Sequence, residues 1–192
     1  MLDEIAQSFQ TIVDGISYNY IFVGKVIGLM WIILFVNRLL GKRLCVLGIY
    51  PRHLFGLVGI IFAPFLHYDY EHLLFNSIPL FLLMNFVLLS GYQTFYRVSI
   101  FILLIAGGLI WLFGRRAIHI GASYLIMGYF GYLLSSAYIT GGTLTIGLAI
   151  IAIYYFGGML FSVLPVEDKT SWEGHLFGLI AGIVTCFVLN FN

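Results

Sequence analysis

The sequence has 192 residues, of which 61% are hydrophobic and only 9% are charged, and its formal net charge is +1. Soluble domains carry about 25% charged residues, so this composition excludes an ordinary soluble protein and predicts an all-α integral membrane protein. With no basic stripe to neutralise phosphates, the chain is not expected to bind nucleic acid.

Residues 1–19 precede the first long apolar run. They contain Asp3, Glu4 and Asp14 but no lysine or arginine, so they lack the basic start of a cleaved secretory signal. We therefore divide the chain into an N-terminal segment, 1–19, and one membrane domain, 20–192. Cys45 and Cys186 form neither a disulfide framework nor a metal-binding pattern, and no cofactor is expected.

Six apolar stretches reach the length of about 20 residues that a spanning helix needs. They cover about 20–40, 72–90, 95–113, 121–138, 143–164 and 172–190. The long connection 41–71 is broken by Pro51 and Pro64, and its apolar insert, 53–65, is too short to span a bilayer. The prediction is a bundle of six transmembrane helices with a long, partly embedded first loop.

Polar residues converge at one end of this predicted bundle. Spans two, four and six run in the same direction, and each carries a polar residue near its start: His72 and Asn76, Ser123, and His175. Polar side chains inside a bilayer are costly and mark candidate functional sites. Taken singly, a serine at a helix start is more often a backbone cap, and an intramembrane histidine often makes only a helix-to-helix hydrogen bond.

Together, these residues have the composition of a serine hydrolase site. If Ser123 and His175 approach each other, the imidazole can accept the hydroxyl proton as serine attacks a carbonyl. The Asn76 amide, the His72 ring and the Ser123 backbone N–H could stabilise the oxyanion. No carboxylate is suitably placed inside a span, which predicts a Ser-His dyad without the acid of a triad.

Glycines are placed where the fourth and sixth spans would have to approach closely. Gly174, Gly178 and Gly182 form a four-residue ridge on the sixth span, while Gly121 and Gly128 bracket Ser123 on the fourth. Small residues at such spacing let membrane helices pack backbone to backbone. We expect these two spans to be in close contact.

These motifs resemble the rhomboid family of intramembrane serine proteases. The matching stretches are His67-Tyr-Asp-Tyr-Glu-His72-Leu-Leu-Phe-Asn76, Gly121-Ala-Ser123, and Gly174-His175-Leu-Phe-Gly178-Leu-Ile-Ala-Gly182. The resemblance implies that Ser123 is the nucleophile, that His175 is the base, and that His72 and Asn76 contribute to the oxyanion site. Tyr124 departs from the glycine that many rhomboids have after the nucleophile, which predicts a changed oxyanion or acyl pocket.

The resemblance also implies partners and a location. The substrates would be transmembrane proteins that enter laterally from the lipid bilayer. The fifth span and the loop that follows it, 163–171, would form the gate and cap, with Gly157 and Gly158 as points of flexibility. The expected location is a bacterial inner (plasma) membrane, as a multi-pass protein. Family orientation puts the catalytic end outside, whereas the distribution of lysine and arginine predicts the reverse. The oligomeric state, the natural substrate and the cleaved bond are not determined by the sequence.

Three other functions are compatible with parts of this pattern. The first is a rhomboid-like protein that binds transmembrane clients without cleaving them. The second is a haem- or metal-binding membrane protein that uses His67, His72, His119 and His175. The third is a small transporter, which usually shows inverted repeats that are not evident here.

Overall fold

A computed structural model describes residues 1–164 and 171–190. Its α-helices are α1 (Leu2–Leu39), α2 (Gly59–Phe62), α3 (Tyr70–Leu88), α4 (Tyr92–Phe113), α5 (Ser123–Thr140), α6 (Thr143–Phe156) and α7 (Trp172–Asn190). Shorter 3-10 segments cover Arg43–Leu47, Leu54–Leu57, Ala63–Phe65 and Gly157–Val163. Between these described residues, the only β-type pairing is one isolated bridge, so the predicted all-α class is confirmed.

The first helix is longer than the sequence analysis predicts. It contains 38 residues and continues without a break through residue 20, where we placed the start of the membrane domain. Acidic Asp3 and Glu4 lie in its first turn, where negative charge interacts favourably with the helix dipole. The boundary between 1–19 and 20–192 therefore does not coincide with a helix end.

Five described helices are long and apolar enough to cross a bilayer, so the predicted six spans are confirmed only in part. They are Leu2–Leu39, Tyr70–Leu88, Tyr92–Phe113, Thr143–Val163 and Trp172–Asn190. Helix α5 is not among them, although it occupies the predicted fourth position. It packs against α3, α4, α6 and most extensively α7, and its residues 126–133 are all buried. A helix enclosed by other helices has less need of an apolar surface toward lipid, which is consistent with its buried tyrosines Tyr124, Tyr129 and Tyr132.

The connection between α1 and α3 is built from short helical segments that pack on the bundle. The segment Leu54–Phe65 is apolar but shorter than a span, as expected for the insert of the first loop. It packs against α4. Ile49 and His119 exchange both backbone hydrogen bonds, at 2.9 Å each, and so attach this connection to the loop between α4 and α5. The backbone of Gly59 lies against Gly48, where a Cβ would come within 2.2 Å of the Gly48 carbonyl carbon.

Helix ends at one side of the bundle carry the polar residues of interest. The Asp69 side chain accepts a hydrogen bond of 2.8 Å from the backbone N–H of His72 and so caps α3. Gly121 has a φ of +114°, which turns the chain into α5 just before Ser123. At Gly157 the α-helical part of α6 gives way to a 3-10 segment.

Candidate active site

All four candidate residues line one cavity. Its volume is about 890 Å³, and its wall includes Ser123, His175, His72 and Asn76. The remaining wall mixes polar, aromatic and aliphatic residues: Tyr68, Asp69, Glu71, Phe75, Arg115, Ala117, Ile118, His119, Ile120 and Ser171. The structure thus brings together, from three helices, the polar residues that the sequence placed at a common end.

Ser123 is the first residue of α5 and faces the cavity. Its side chain is half-buried, and its hydroxyl has no hydrogen-bond partner within residues 1–164 and 171–190. It does not cap α5, because the N-cap position is Ala122 and no side-chain cap bond is formed there. The hydroxyl is therefore available to a bound molecule.

The imidazole of His175 is held through one of its two nitrogens. Nδ1 lies 3.2 Å from the backbone carbonyl of Ser162, which can only accept, so Nδ1 carries the proton. In a neutral ring, Nε2 then has the free lone pair and can accept a proton. The carboxylate of Glu173, two residues earlier, interacts instead with Arg115 at 3.3 Å. A backbone carbonyl thus takes the place of the acid that orients histidine in a triad.

Helices α5 and α7 approach each other through glycine. A Cβ at Gly178 would lie 2.3 Å from the carbonyl oxygen of Tyr124, and a Cβ at Gly182 only 1.9 Å from that of Gly128. Any larger residue would force the two backbones apart, so the predicted close contact is confirmed. Nearer the cavity, a Cβ at Gly174 would lie 3.9 Å from the Ser123 hydroxyl oxygen, which puts that serine beside the turn that carries His175.

The His72 ring and the Asn76 amide lie over the turn that precedes Ser123. A Cβ at Gly121 would be 2.9 Å from His72 Nε2 and 3.6 Å from Asn76 Nδ2. Two potential N–H donors therefore border the backbone two residues before the serine. Both side chains therefore lie next to the backbone that leads into Ser123.

The buried His67 ring contacts both Asn76 and the backbone before Ser123. Its Nε2 lies 3.0 Å from Asn76 Nδ2 and 3.4 Å from the backbone nitrogen of Ala122, so it accepts from both N–H groups. Burial, with a smaller contribution from His72, lowers the pKa of His67 to about 3. The ring is therefore neutral near pH 7 and can keep its acceptor role.

Tyr124 points away from the cavity. It is 3% exposed, and its hydroxyl donates a hydrogen bond of 3.1 Å to the carbonyl oxygen of Ile60 in the first connection. Its side chain does not contribute to the cavity wall. The Tyr124 side chain is therefore not part of the cavity wall and anchors the start of α5 to the first loop, and its effect on an oxyanion or acyl pocket stays a prediction.

The histidine-rich end of the bundle does not have the arrangement of a metal site. Nowhere in the described ranges do three or more His, Cys, Asp or Glu side chains group so that they could hold an ion. Several of the histidine nitrogens at this end already have protein partners: His67 Nε2 with Asn76, both nitrogens of His119, and His175 Nδ1 with Ser162. A metal bound at one of these nitrogens would have to displace its present partner.

Sequence reasoning gave no specific role to several residues that shape the site. Ser162 acts through its backbone carbonyl, so no side-chain pattern could reveal it. His67 and His119 were noted as histidines at the same end, yet their partners could not be identified. Ser171 lies 52 residues from His119, and only packing of α7 on the loop before α5 brings them together. Of the expected gate, 163–171, residues 165–170 lie outside the described ranges.

Comparison with known proteins assigns the chain to a family. The Rhomboid domain model matches residues 53–190, which includes every candidate residue. The uncharacterized protein Rv1337 of Mycobacterium tuberculosis is 36% identical over 175 residues, covering 85% of this chain and 72% of that protein. The same values hold for the uncharacterized protein Mb1372 of Mycobacterium bovis. The uncharacterized protein ML1171 of Mycobacterium leprae is 35% identical over 144 residues, covering 70% of this chain and 57% of that protein.

Proposed function

This chain belongs to the rhomboid family of multi-pass membrane proteins, and on that premise we propose that it is an intramembrane serine endopeptidase. The observation that carries the proposal is the shared cavity of Ser123, His175, His72 and Asn76, in which the His175 ring is held with Nε2 as its proton acceptor. The substrates would be membrane proteins cleaved in or near a transmembrane segment.

The proposed reaction begins with the hydroxyl of Ser123. Its oxygen attacks the carbonyl carbon of the substrate peptide bond, while Nε2 of His175 takes the hydroxyl proton. Collapse of the tetrahedral intermediate breaks the C–N bond, and His175 returns the proton to the leaving amine. Water then attacks the acyl ester with His175 again as base, which releases the new carboxylate and restores Ser123.

Charge that develops on the carbonyl oxygen needs preorganised donors. Asn76 Nδ2 carries two N–H groups, of which one donates to His67, so the other is free to donate to the oxyanion. The ring of His72 borders the same turn, and the backbone N–H of Ser123 would complete the set. Removing one donor of this kind typically costs about 10²- to 10³-fold in kcat.

The substrate has to reach the serine in an extended conformation. A helical peptide bond already uses its carbonyl within the helix, so a transmembrane segment must unwind before attack. The cavity has about 890 Å³ of space and several polar groups in its wall, which could accommodate an unwound stretch of backbone. By family resemblance, lateral entry past α6 and its 3-10 extension Gly157–Val163 is the proposed route.

A family member that binds clients without cleaving them is the main competing function. The Ser123 hydroxyl makes no hydrogen bond to His175 within the described residues, and this is the observation that favours it. Hydrogen bonds between nucleophile and base are often long without substrate and shorten when it binds. Only an activity measurement separates the two functions.

The test compares wild type with Ser123→Ala and His175→Ala on a model transmembrane substrate in liposomes. We expect cleavage by wild type and none above background by either variant, with labelling of wild type by a serine-directed fluorophosphonate. Ser99→Ala is the control, because Ser99 bonds Tyr129 and does not line the cavity. The protease proposal is refuted if the folded wild type binds the substrate but neither cleaves it nor reacts with the probe. That outcome would favour the client-binding function.

A further inference from the structure

The loop between α4 and α5, residues 114–122, is joined to the start of α7 by two polar cross-links. Nδ1 of His119 lies 2.7 Å from Oγ of Ser171, and Nε of Arg115 lies 3.3 Å from Oε1 of Glu173. Both partners on the loop lie before Ser123, and both partners on the α7 side lie before His175. The cross-links therefore connect the two segments that carry the proposed nucleophile and the proposed base.

Hydrogen-bond roles in the Ser171–His119 pair are fixed by a third group. Nε2 of His119 lies 3.0 Å from the backbone carbonyl of Arg115, which can only accept, so Nε2 carries the proton. Nδ1 is then an acceptor, and the Ser171 hydroxyl donates to it. Burial lowers the pKa of His119, which favours this neutral form of the ring. The bond is short and joins residues held 52 positions apart in the chain.

The Arg115–Glu173 pair supports the same junction. The Glu173 side chain is 3% exposed, and its Oε1 also accepts from the backbone N–H of Arg115 at 3.3 Å. A buried carboxylate without its cation is strongly unfavourable, so the pair constrains the first turn of α7 against the loop. Because Glu173 is two residues from His175, movement of this turn would move the imidazole.

Each residue of the Ser171–His119 cross-link lies the same distance in sequence before a residue of the proposed dyad. His119 precedes Ser123 by four residues, and Ser171 precedes His175 by four. Between them, a Cβ at Gly174 would lie 3.3 Å from the Ser171 hydroxyl oxygen and 3.9 Å from that of Ser123. Both hydroxyls thus border Gly174, and Ser171 and His119 line the same cavity as the dyad.

We propose that the Ser171–His119 hydrogen bond is a positioning clamp, supported by the Arg115–Glu173 ion pair, that sets the approach of His175 to Ser123. The inference rests on the proposed protease function. Ser171 and His119 are positioning residues in it and do not touch the reacting atoms. A displacement of about 1 Å between nucleophile and base can cost about 100-fold in rate, so the loss of this bond is expected to lower kcat more than it raises KM.

The experiment uses the full chain in liposomes and measures kcat, KM and the thermal unfolding midpoint for each variant. Ser171→Ala and His119→Ala are expected to lower kcat about 10- to 100-fold, with KM changed less than about threefold. Their double variant should lose no more than the worse single variant, because both remove the same bond. Ser171→Thr keeps a hydroxyl and should recover most of kcat.

The control is Ser99→Ala, which removes a hydroxyl bond of 2.8 Å between α4 and α5 outside the cavity. It should lower the unfolding midpoint about as much as Ser171→Ala while leaving kcat unchanged. Equal kcat in Ser171→Ala and wild type would overturn the clamp and leave the protease proposal standing. Fluorophosphonate labelling that persists in Ser123→Ala and disappears on adding Ser171→Ala would also overturn it, since Ser171 would then itself be a nucleophile. If the wild type shows no cleavage that depends on Ser123, both the protease proposal and the clamp proposal are refuted.

Discussion

Nδ2 of Asn76 donates a hydrogen bond of 3.0 Å to Nε2 of buried His67, which fixes the plane of the amide beneath the Gly121 turn. One N–H of the amide makes this hydrogen bond, and because Asn76 lines the cavity, the second remains available to a bound molecule. The pair shows how a proposed oxyanion donor can be held in place before any substrate arrives.

Asn76→Ala is expected to lower kcat about 10²- to 10³-fold with little change in KM, because the amide interacts with charge that exists only in the transition state. His67→Ala should cause a smaller loss, since it releases the amide without removing it. Steady-state kinetics on one substrate measures both. A His67→Ala defect larger than that of Asn76→Ala would contradict this order.

Stability is expected to fall as the pH decreases from about 7 toward 4. The pKa of His67 is about 3 in the folded protein, below the ordinary value of 6.5, so the unfolded chain binds a proton that the folded chain does not. The stability associated with the neutral, buried His67 ring is therefore fully present above pH 6.5. It is lost progressively as the pH falls from 6.5 toward 3, because protonation then favours the unfolded chain. Thermal unfolding of wild type and His67→Gln across this range checks it, and the variant should show the flatter dependence. Parallel curves for the two proteins would be evidence against the assignment.

Gly121→Ala is expected to abolish cleavage. At a φ of +114° an alanine is strained, and its Cβ would come within 2.9 Å of His72 Nε2. Gly91→Ala is the matched control, because Gly91 has a φ of +91° and no neighbour within 4 Å of a Cβ. Both variants should lose stability, about 1–3 kcal/mol each from backbone strain, but only Gly121→Ala should lose reactivity toward the fluorophosphonate. Equal reactivity in the two would show that the His72 contact is unimportant.

Tyr124→Phe should reduce stability by about 1 kcal/mol, because the part-buried Ile60 carbonyl loses its hydroxyl donor. Substrate preference should not change, since the ring does not line the cavity. Tyr138→Phe, on an exposed ring, is the control and should leave stability unchanged. Unfolding midpoints and cleavage of a panel of substrates give the two readouts. Altered preference in Tyr124→Phe would place the phenol in the acyl pocket after all.

Gly182→Ala should destabilise the bundle by about 1–3 kcal/mol, because its Cβ would lie 1.9 Å from the backbone oxygen of Gly128. Gly147→Ala on α6 is the control, since nothing lies within 4 Å of a Cβ there and alanine favours a helix over glycine. The unfolding midpoints of the two variants should therefore shift in opposite directions. A neutral Gly182→Ala would mean that α5 and α7 are not packed through this ridge.

Local patterns in the sequence were sufficient for the helical class, most helix bounds and the close contact of α5 with α7. Apolar length and glycine spacing are properties of neighbouring residues, so they can be read without knowing the fold. The long first helix was missed because the polar residues before residue 20 do not prevent a helix from continuing. The predicted fourth span is not confirmed as one of the spanning helices of the described residues, and its enclosure by four other helices is not visible in its own composition.

The sequence by itself determined which residues are present at one end of the bundle, because helix direction alternates with each span and depth follows from position along each helix. Their catalytic roles stay predictions. Only the tertiary structure decided which nitrogen of His175 is protonated, that Tyr124 turns toward Ile60, and that Ser171 bonds His119. These are contacts between distant segments, and their geometry depends on how helices rotate and pack against one another, which no local pattern specifies.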